Sequence, residues 1–369
     1  MESVAAFTDT YLPTVNGVTY TVESWRDRWQ ARGGRMAVVY PGSPERTPDR
    51  GEYPVRSLPL PIYAGYRLGV PRVPDAVEDV DVVHAHTPFA IGLAGLRLAR
   101  KRDLPLVASF HTPTEEYASY LSSWGPVRER TAAMSQRYES WFLGAADAVI
   151  VPSESTGEYV RETLGVDDLQ VVPNGVDTER FHPVDAAAFC DRHGLPTDRT
   201  LVGYTGRHGH EKSLPAIIDA CDRLDREVTI VFGGDGPARE ELEQAARDRD
   251  LDARFLGFLD REELPAFYAS LDAFLFPSPV ETQGLVALES FACGTPVVAV
   301  DSGALRDTVD DGETGYHFER GDVGGFADAI ERTLTERERL SENCLDRRES
   351  ISVDHAVDQL AEIYSAVRE

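Results

Sequence analysis

Glu281 and Glu289 bracket the run Glu281-Thr282-Gln283-Gly284-Leu285-Val286-Ala287-Leu288-Glu289, two acids with seven residues between them. The run follows a strand-like segment, Ala273 to Ser278, and leads into Phe291-Ala292-Cys293-Gly294-Thr295-Pro296. That pattern reads as strand, loop, short helix, glycine stop and next strand. Glu281 is expected at the mouth of the helix and Glu289 about two turns inside it, which at about 1.5 Å per residue sets them roughly 12 Å apart. Two carboxylates at that distance do not readily share one proton or one metal ion. They can hold two hydroxyl-bearing ends of one long ligand, such as the sugar and the ribose of a nucleotide-sugar. A surface helix that happens to carry two glutamates also fits the spacing.

Cations stand upstream. Gly206-Arg207-His208-Gly209-His210-Glu211-Lys212 closes a strand candidate and is expected to open a helix at Ser213. Such a site suits a diphosphate: the helix end offers amide donors, Arg207 a planar fork and Lys212 a point charge. A solvated loop is the plain alternative. Of the 37 basic residues only Lys101 and Lys212 are lysines, so a lysine retained here points to a task. Phe232-Gly233-Gly234-Asp235-Gly236-Pro237 ends the next strand candidate, where glycines either let the backbone approach a nucleotide or simply turn the chain. It is not a Gly-x-Gly-x-x-Gly fingerprint, and none follows the first strand at Asp9, which counts against a nicotinamide oxidoreductase.

In the first half, the run Thr8 to Val18 follows the first strand candidate and enters a helix through Pro13, Asn16 and Gly17, suiting either ligand contact or a turn. Ser109-Phe110-His111-Thr112-Pro113 ends another strand, which turns His111 toward the ligand side. His84 and His86 alternate along one strand and share a face. Further ligands at metal-binding geometry are not evident; His84 is read as packing and His86-Thr87-Pro88 as lining a cleft.

These residues need elements to position them. Short β-branched runs alternate with helical stretches: Val4–Thr8, Met36–Tyr40, Val82–Ala85, Leu106–Phe110, Ala148–Val151 and Gln170–Val172, then Leu201–Tyr204, Val228–Phe232, Arg254–Leu256, Ala273–Phe276 and Pro296–Val300. The alternation implies an α/β protein with two doubly wound, Rossmann-like domains facing each other across a cleft, ligands lying at the carboxyl ends of the strands. The expected division is 1–181 for the first domain, 182–199 for a polar linker, 200–350 for the second domain, and 351–369 for a helix packing back on the first. In that last segment Val353, Ala356, Leu360 and Ile363 form one stripe.

Composition sets outer bounds. The 369 residues carry a net charge of −26. So acidic and lysine-poor a surface reads as adaptation to high salt, and it makes free nucleic acid an unsuitable partner. No run approaches 18 apolar residues, so no transmembrane helix is expected, and the first residues lack the basic start of a secretory signal. Four scattered cysteines fit free thiols in a reducing cytoplasm.

Taken together, the chain resembles the family-4 retaining glycosyltransferases of the GT-B fold over nearly its whole length. The match rests on the Pro13–Gly17 loop, His111, Asn174-Gly175-Val176-Asp177, Arg207 with Glu211-Lys212, Gly233–Pro237, and the Glu281/Glu289 pair followed by Gly294-Thr295-Pro296-Val297-Val298. Two departures are visible: the usual double glycine of the first loop is Asn16-Gly17 here, and the usual Phe after Glu281-Thr282 is Gln283. The resemblance implies that Arg207 and Lys212 hold the donor diphosphate and stabilise it as leaving group. It gives Glu281 to the donor sugar, Glu289 to the ribose, and His111 to the anomeric centre. Asn16, Gly17, Gly234, Gly284 and Leu285 become further donor contacts. Neither a cofactor nor a divalent metal is implied, because fixed cations take that role. Asp79-Val80-Asp81 has the form used by metal-dependent glycosyltransferases of another fold, but it precedes its strand and is expected on the surface.

The first domain must carry the acceptor. Thr14–Val18, His84–Phe89 and His111–Tyr117 are similar to members that glycosylate diacylglycerol-type lipids, including sulfoquinovosyl and glucosyl transferases. From Arg50 to Phe142 there are eleven basic and ten acidic residues, with the cluster Arg97, Arg100, Lys101, Arg102 and a helical stripe Val127, Met134, Tyr138, Trp141. Such a near-neutral, aromatic-bearing face could approach an anionic membrane. It could equally be a core-facing stripe beside an ordinary helix C-terminus. The expectation is a cytoplasmic hexosyltransferase, peripheral at the inner membrane face, acting from a nucleotide-sugar on a lipid. A polyprenyl-linked or soluble saccharide acceptor is the rival, and nucleotide-sugar epimerisation and a catalytically silent sugar-nucleotide-binding protein are the other readings.

Overall fold

A computed structural model of the chain describes residues 1–59, 66–111 and 125–369, and the side chains of all of these except 125–132. It divides into two compact units, Met1–Asn174 with Val353–Glu369, and Gly175–Ser352.

The first unit is built on β1 (Ser3–Phe7), β2 (Arg35–Pro41), β3 (Glu52–Val55), a separate antiparallel hairpin β4 (Ser57–Pro59) and β5 (Arg67–Gly69), then β6 (Val82–Ala85), β7 (Leu106–Ser109), β8 (Ala148–Val151) and β9 (Gln170–Val171). The sheet order is β3-β2-β1-β6-β7-β8-β9, and every pair in it is parallel. Strands buried on both faces are near-continuous apolar runs, which is why most of them are readable. β3 reads Glu-Tyr-Pro-Val and is not; it lies at the sheet edge, where a proline is tolerated. One face packs on the helix Ala90–Arg102 and on Phe142. The other packs on the first helix, Gly17–Ala31, and on the C-terminal helix Val353–Ala366. That last helix buries Val353, Ala356, Val357, Leu360, Ile363 and Tyr364 in one core with Trp25 and Trp29. Arg28 and Arg32 pair with its Asp354, and Arg32 also with Asp358.

The second unit holds β10 (Thr200–Thr205), β11 (Val228–Gly233), β12 (Ala253–Gly257), β13 (Ala273–Phe276), β14 (Val297–Val300) and β15 (Gly315–Phe318), ordered β12-β11-β10-β13-β14-β15 and all parallel. The stretch 182–199, expected as a linker, belongs to this unit. Its helix Ala187–His193 buries Phe189 and Cys190, and Phe189 meets Phe267 edge-on at 6.3 Å. Residues 175–181 belong here too: the Val176 N–H donates to Ile351 O at 2.9 Å, and Phe181 is buried in the core. Polar spacing residues hid the apolar ones that decide the packing.

In each sheet the strand order reverses beside the first strand, between β1 and β6 and between β10 and β13. Loops leaving the carboxyl ends of those strands open at the switch point, where a doubly wound sheet takes its ligand.

Candidate active site

In the second unit, the loops after β10 and β11 are zipped together. Gly206 N–H donates to Gly233 O at 3.2 Å, His208 N–H to Asp235 O at 2.8 Å, and Ala238 N–H to His208 O at 2.9 Å. The fit depends on glycine: at Gly234, with φ +103°, a Cβ would stand 2.0 Å from Gly206 O. The glycine-rich loop thus braces the loop that carries Arg207 and Lys212.

Lys212 ends a single 3-10 turn, His210–Lys212, and its Nζ donates to Glu281 Oε1 at 2.7 Å. The two residues come from the loops after β10 and β13, on either side of the switch point, and both are largely shielded from solvent. Arg207 is half-exposed and pairs with Glu211 four residues on. The helix expected at Ser213 does not begin there. Ser213 is left-handed, φ +54°, and closes the turn; the helix starts at Pro215 and runs only to Cys221. The cations therefore ride on a turn and not on a helix end.

The Glu281 side also differs from expectation. The helix is Leu285–Ala292, and its N-cap Gly284 is left-handed at φ +79°, a conformation the helix cannot include. Glu281 lies in the preceding loop and Glu289 little more than one turn inside, so the helical spacing of roughly 12 Å does not apply. A Cβ on Gly284 would stand 2.7 Å from Leu305 Cδ2. Leu285 follows as the first helical residue. Glu289 is buried and accepts a hydrogen bond from Tyr268 Oη at 2.7 Å. Burial pushes its carboxyl up to about 7, against Tyr268, Arg261 and Arg180, which favour the charged form. Nothing in the sequence ties Tyr268 to Glu289; an aromatic in an apolar helix reads as core.

In the first unit the residues gather at the ends of β1, β6 and β7. Asn16 caps the first helix, accepting from Thr19 N at 2.9 Å, and its amide donates to Thr10 Oγ1 at 2.7 Å and Tyr66 Oη at 3.0 Å. Both amide protons are thereby committed to shaping the loop, with Gly17 the first helical residue. Asp9, which sequence reasoning passed over, takes Ile91 N at 2.9 Å, Gly92 N at 3.2 Å and Thr87 Oγ1 at 2.6 Å. It caps the helix Ala90–Arg102, whose own N-cap Phe89 offers no side-chain acceptor. That deficit was the legible signal. Burial raises the Asp9 carboxyl above its ordinary value, against those donors.

His84, His86 and His111 are buried together against Trp25. Rings 84 and 86 stack at 4.0 Å, and His86 Nδ1 lies 3.2 Å from His111 Nε2. Burial pulls all three below the ordinary histidine range, His84 to about 3 and His111 to about 4. His86 and His111 line a cavity of about 30 Å³ with Thr10, Ser109 and the buried Glu139.

The aromatic stripe faces outward at Met134 and Trp141, but Tyr138 is half-buried and its hydroxyl donates to Pro88 O. Met134 is 71% and Trp141 49% exposed, with Phe89 at 39%, and the Arg100 guanidinium lies over the Trp141 ring. Val127, by its side chain, and Thr112–Tyr117 lie outside the described residues. Arg100, Lys101 and Arg102 do end the helix Ala90–Arg102, and Lys101 and Arg102 pair with Glu78. Asp79 is exposed and Asp81 accepts from Ser3 N at 2.8 Å, a structural task. All four cysteines are free and buried. Among the described residues no group of three or more His, Cys, Asp or Glu is arranged to hold a metal ion, and no helix is long and apolar enough to cross a membrane.

Residues 15–180 match the family model for Glycosyltransferase Family 4, and residues 187–347 that for Glycosyl transferases group 1. A GDP-mannose-dependent alpha-mannosyltransferase of Mycobacterium tuberculosis is 31% identical over 99% of this chain and 97% of its own length. An alpha-monoglucosyldiacylglycerol synthase of Streptococcus pneumoniae is 26% identical over 90% of this chain and 81% of that protein. The sulfoquinovosyl transferase of Arabidopsis thaliana is 32% identical over 82% of this chain, which spans only 60% of that protein's length. Among solved structures, the Anabaena protein HepE in complex with UDP and glucose has a TM-score of 0.78 at 20% identity, over 99% of this chain and all of that one.

Proposed function

The chain belongs to glycosyltransferase family 4, with the GT-B fold, and from that premise we propose that it is a retaining enzyme moving a hexose from a nucleotide-sugar to a membrane lipid. The observation that carries the reading is the Lys212–Glu281 pair, formed across the switch point by the loop that also bears Arg207. In the proposed reaction the bond from the anomeric carbon to the diphosphate breaks. Arg207 and Lys212 stabilise the charge developing on the departing diphosphate. The acceptor hydroxyl bonds to the anomeric carbon from the same face and gives its proton to the leaving phosphate. An ammonium has three donors, so Lys212 can keep one on Glu281 and turn others to phosphate. Glu281 takes the sugar hydroxyls, Glu289 those of the ribose, and His111 an oxygen near the anomeric centre. Gly17, Gly234, Gly284 and Leu285 give the donor close backbone contact. With two fixed cations on the diphosphate, no divalent metal is required.

The lipid acceptor draws support from two observations. The Streptococcus pneumoniae relative is named for a diacylglycerol glycolipid. In this chain Met134, Trp141 and Phe89 are exposed and the Arg100 guanidinium lies over the Trp141 ring, features suited to an anionic bilayer surface within an otherwise acidic molecule. Incubation with a panel of nucleotide-sugars and total membrane lipid, followed by mass analysis, tests the reading. A hexosylated lipid whose anomeric configuration matches the donor is expected, undiminished by chelator. Transfer to a polyprenyl-linked or water-soluble saccharide alone would replace the lipid acceptor. Donor binding without turnover would leave a sugar-nucleotide-binding protein, and activity lost to chelator and restored by Mg²⁺ would contradict the metal-free mechanism.

A further inference from the structure

The histidines of the first unit form an ordered chain. Tyr364 Oη, from the C-terminal helix, lies 2.6 Å from His84 Nδ1, and Ser109 Oγ lies 2.7 Å from His84 Nε2. Held at both nitrogens, His84 is a fixed platform, and His86 stacks on it at 4.0 Å. His86 in turn reaches His111 through Nδ1, while its Nε2 is buried with no hydrogen-bond partner among the described residues. Neutral imidazole carries one proton on one of two nitrogens, so only two arrangements fit the 3.2 Å contact. If His111 Nε2–H donates, His86 must leave Nδ1 bare and carry its proton on Nε2, a buried donor with no partner among the described residues; an imidazolium at His86 could not accept at Nδ1 at all. If His86 Nδ1–H donates, its bare Nε2 is an acceptor lone pair without a donor, the less costly of the two. Burial of all three rings keeps them neutral and removes the imidazolium alternative.

We propose that His86 is a positioning residue for His111: its Nδ1–H donates to His111 Nε2 and holds His111 as the neutral tautomer with its proton on Nδ1. His111 then meets a ligand oxygen as a fixed hydrogen-bond donor and takes no part in proton transfer. This rests on the reading of His111 as a ligand contact. Tyr364 and Ser109 act one step further back, by fixing the ring on which His86 lies.

Nitrogen-15 NMR of the histidine rings in the full, ligand-free chain at neutral pH tests the tautomer without reference to catalysis. A His111 signal with Nδ1 protonated and Nε2 bare is expected, and a proton on Nε2, or an imidazolium, would overturn the proposal. His86→Phe should release His111 to a mixture of tautomers and lower kcat about tenfold, the scale of one misplaced hydrogen bond, with donor KM little changed. His86→Asn, which keeps an N–H near the Nδ1 position, should restore both the tautomer and most of the rate. An unchanged His111 tautomer in His86→Phe would also overturn it. Wild-type turnover by His111→Ala would instead refute the ligand-contact reading, an outcome separate from the resting tautomer.

Discussion

Lys212 and Glu281 stand far apart in the chain and meet at 2.7 Å, so each orients the other before any ligand arrives. Lys212→Ala should lower turnover about 100-fold or more at saturating donor while the fold survives, the scale of losing a group that stabilises developing charge; unchanged turnover, measured with purified variant, would remove Lys212 from the phosphate site. Glu289 makes a second, pH-dependent prediction. Its carboxyl rises from an ordinary 4.5 to about 7 in the fold, so the folded chain binds the proton more tightly than the unfolded one. The stability this contributes is complete below pH 4.5 and is lost as pH rises through about 7. Ribose hydroxyls need the ionised form as acceptor, so donor KM should fall as pH rises through the same range. Tyr268→Phe removes a donor that favours the carboxylate and should move the KM profile to higher pH, whereas Glu289→Gln should flatten it. The charged residues themselves were legible because lysine is scarce and the acids are regularly placed. Tyr268 was not, since its meaning lies in a partner distant in sequence, and the Asp9 cap showed only as a helix start with no capping side chain of its own.

At the scale of elements, the second unit's site is held by two loops that touch through backbone. Gly234→Ala would force a Cβ within 2.0 Å of Gly206 O at a φ of +103°. The zipper must open or strain, costing about 2 kcal/mol or more, and thermal unfolding should show a Tm several degrees lower together with a raised donor KM. Gly165, left-handed at a helix end with open space around it, is a control in which only the backbone conformation is strained. Most strands could be read because parallel strands are covered on both faces and write themselves as β-branched runs. β3 and β15 escaped because Pro54 interrupts the one and the other is the short edge run Gly-Tyr-His-Phe. Helix starts were less legible: left-handed Ser213 and Gly284 each displace a helix, and only the glycine announces that conformation in its residue type.

For the whole molecule, a net charge of −26 predicts self-repulsion that salt relieves. Raising salt from about 0.1 M to about 1 M shortens the screening length roughly threefold, and calorimetry should find Tm climbing across that range; a flat or falling Tm would separate the acidic surface from salt adaptation. The first unit cannot do without its last helix. A chain ended at Ser352 loses Leu360, Ile363 and Tyr364 from the core around Trp25 and Trp29. At about 2–5 kcal/mol for each large buried side chain, the loss approaches the whole stability of a domain. Hydrogen exchange of the truncated chain should show β1, β2 and β6 unprotected while β10, β11 and β13 stay protected.

That same helix gives the protein a timetable. Every strand of the first unit is synthesised before the 178 residues of Gly175–Ser352, and the helix that covers one face of its sheet comes after them. At about 5–20 residues per second, the ribosome needs roughly 9–36 s to cross that interval. For that time the nascent first unit shows Trp25, Trp29 and their neighbours to whatever binds apolar surface, while the second unit is free to finish folding. The half made first is the half completed last.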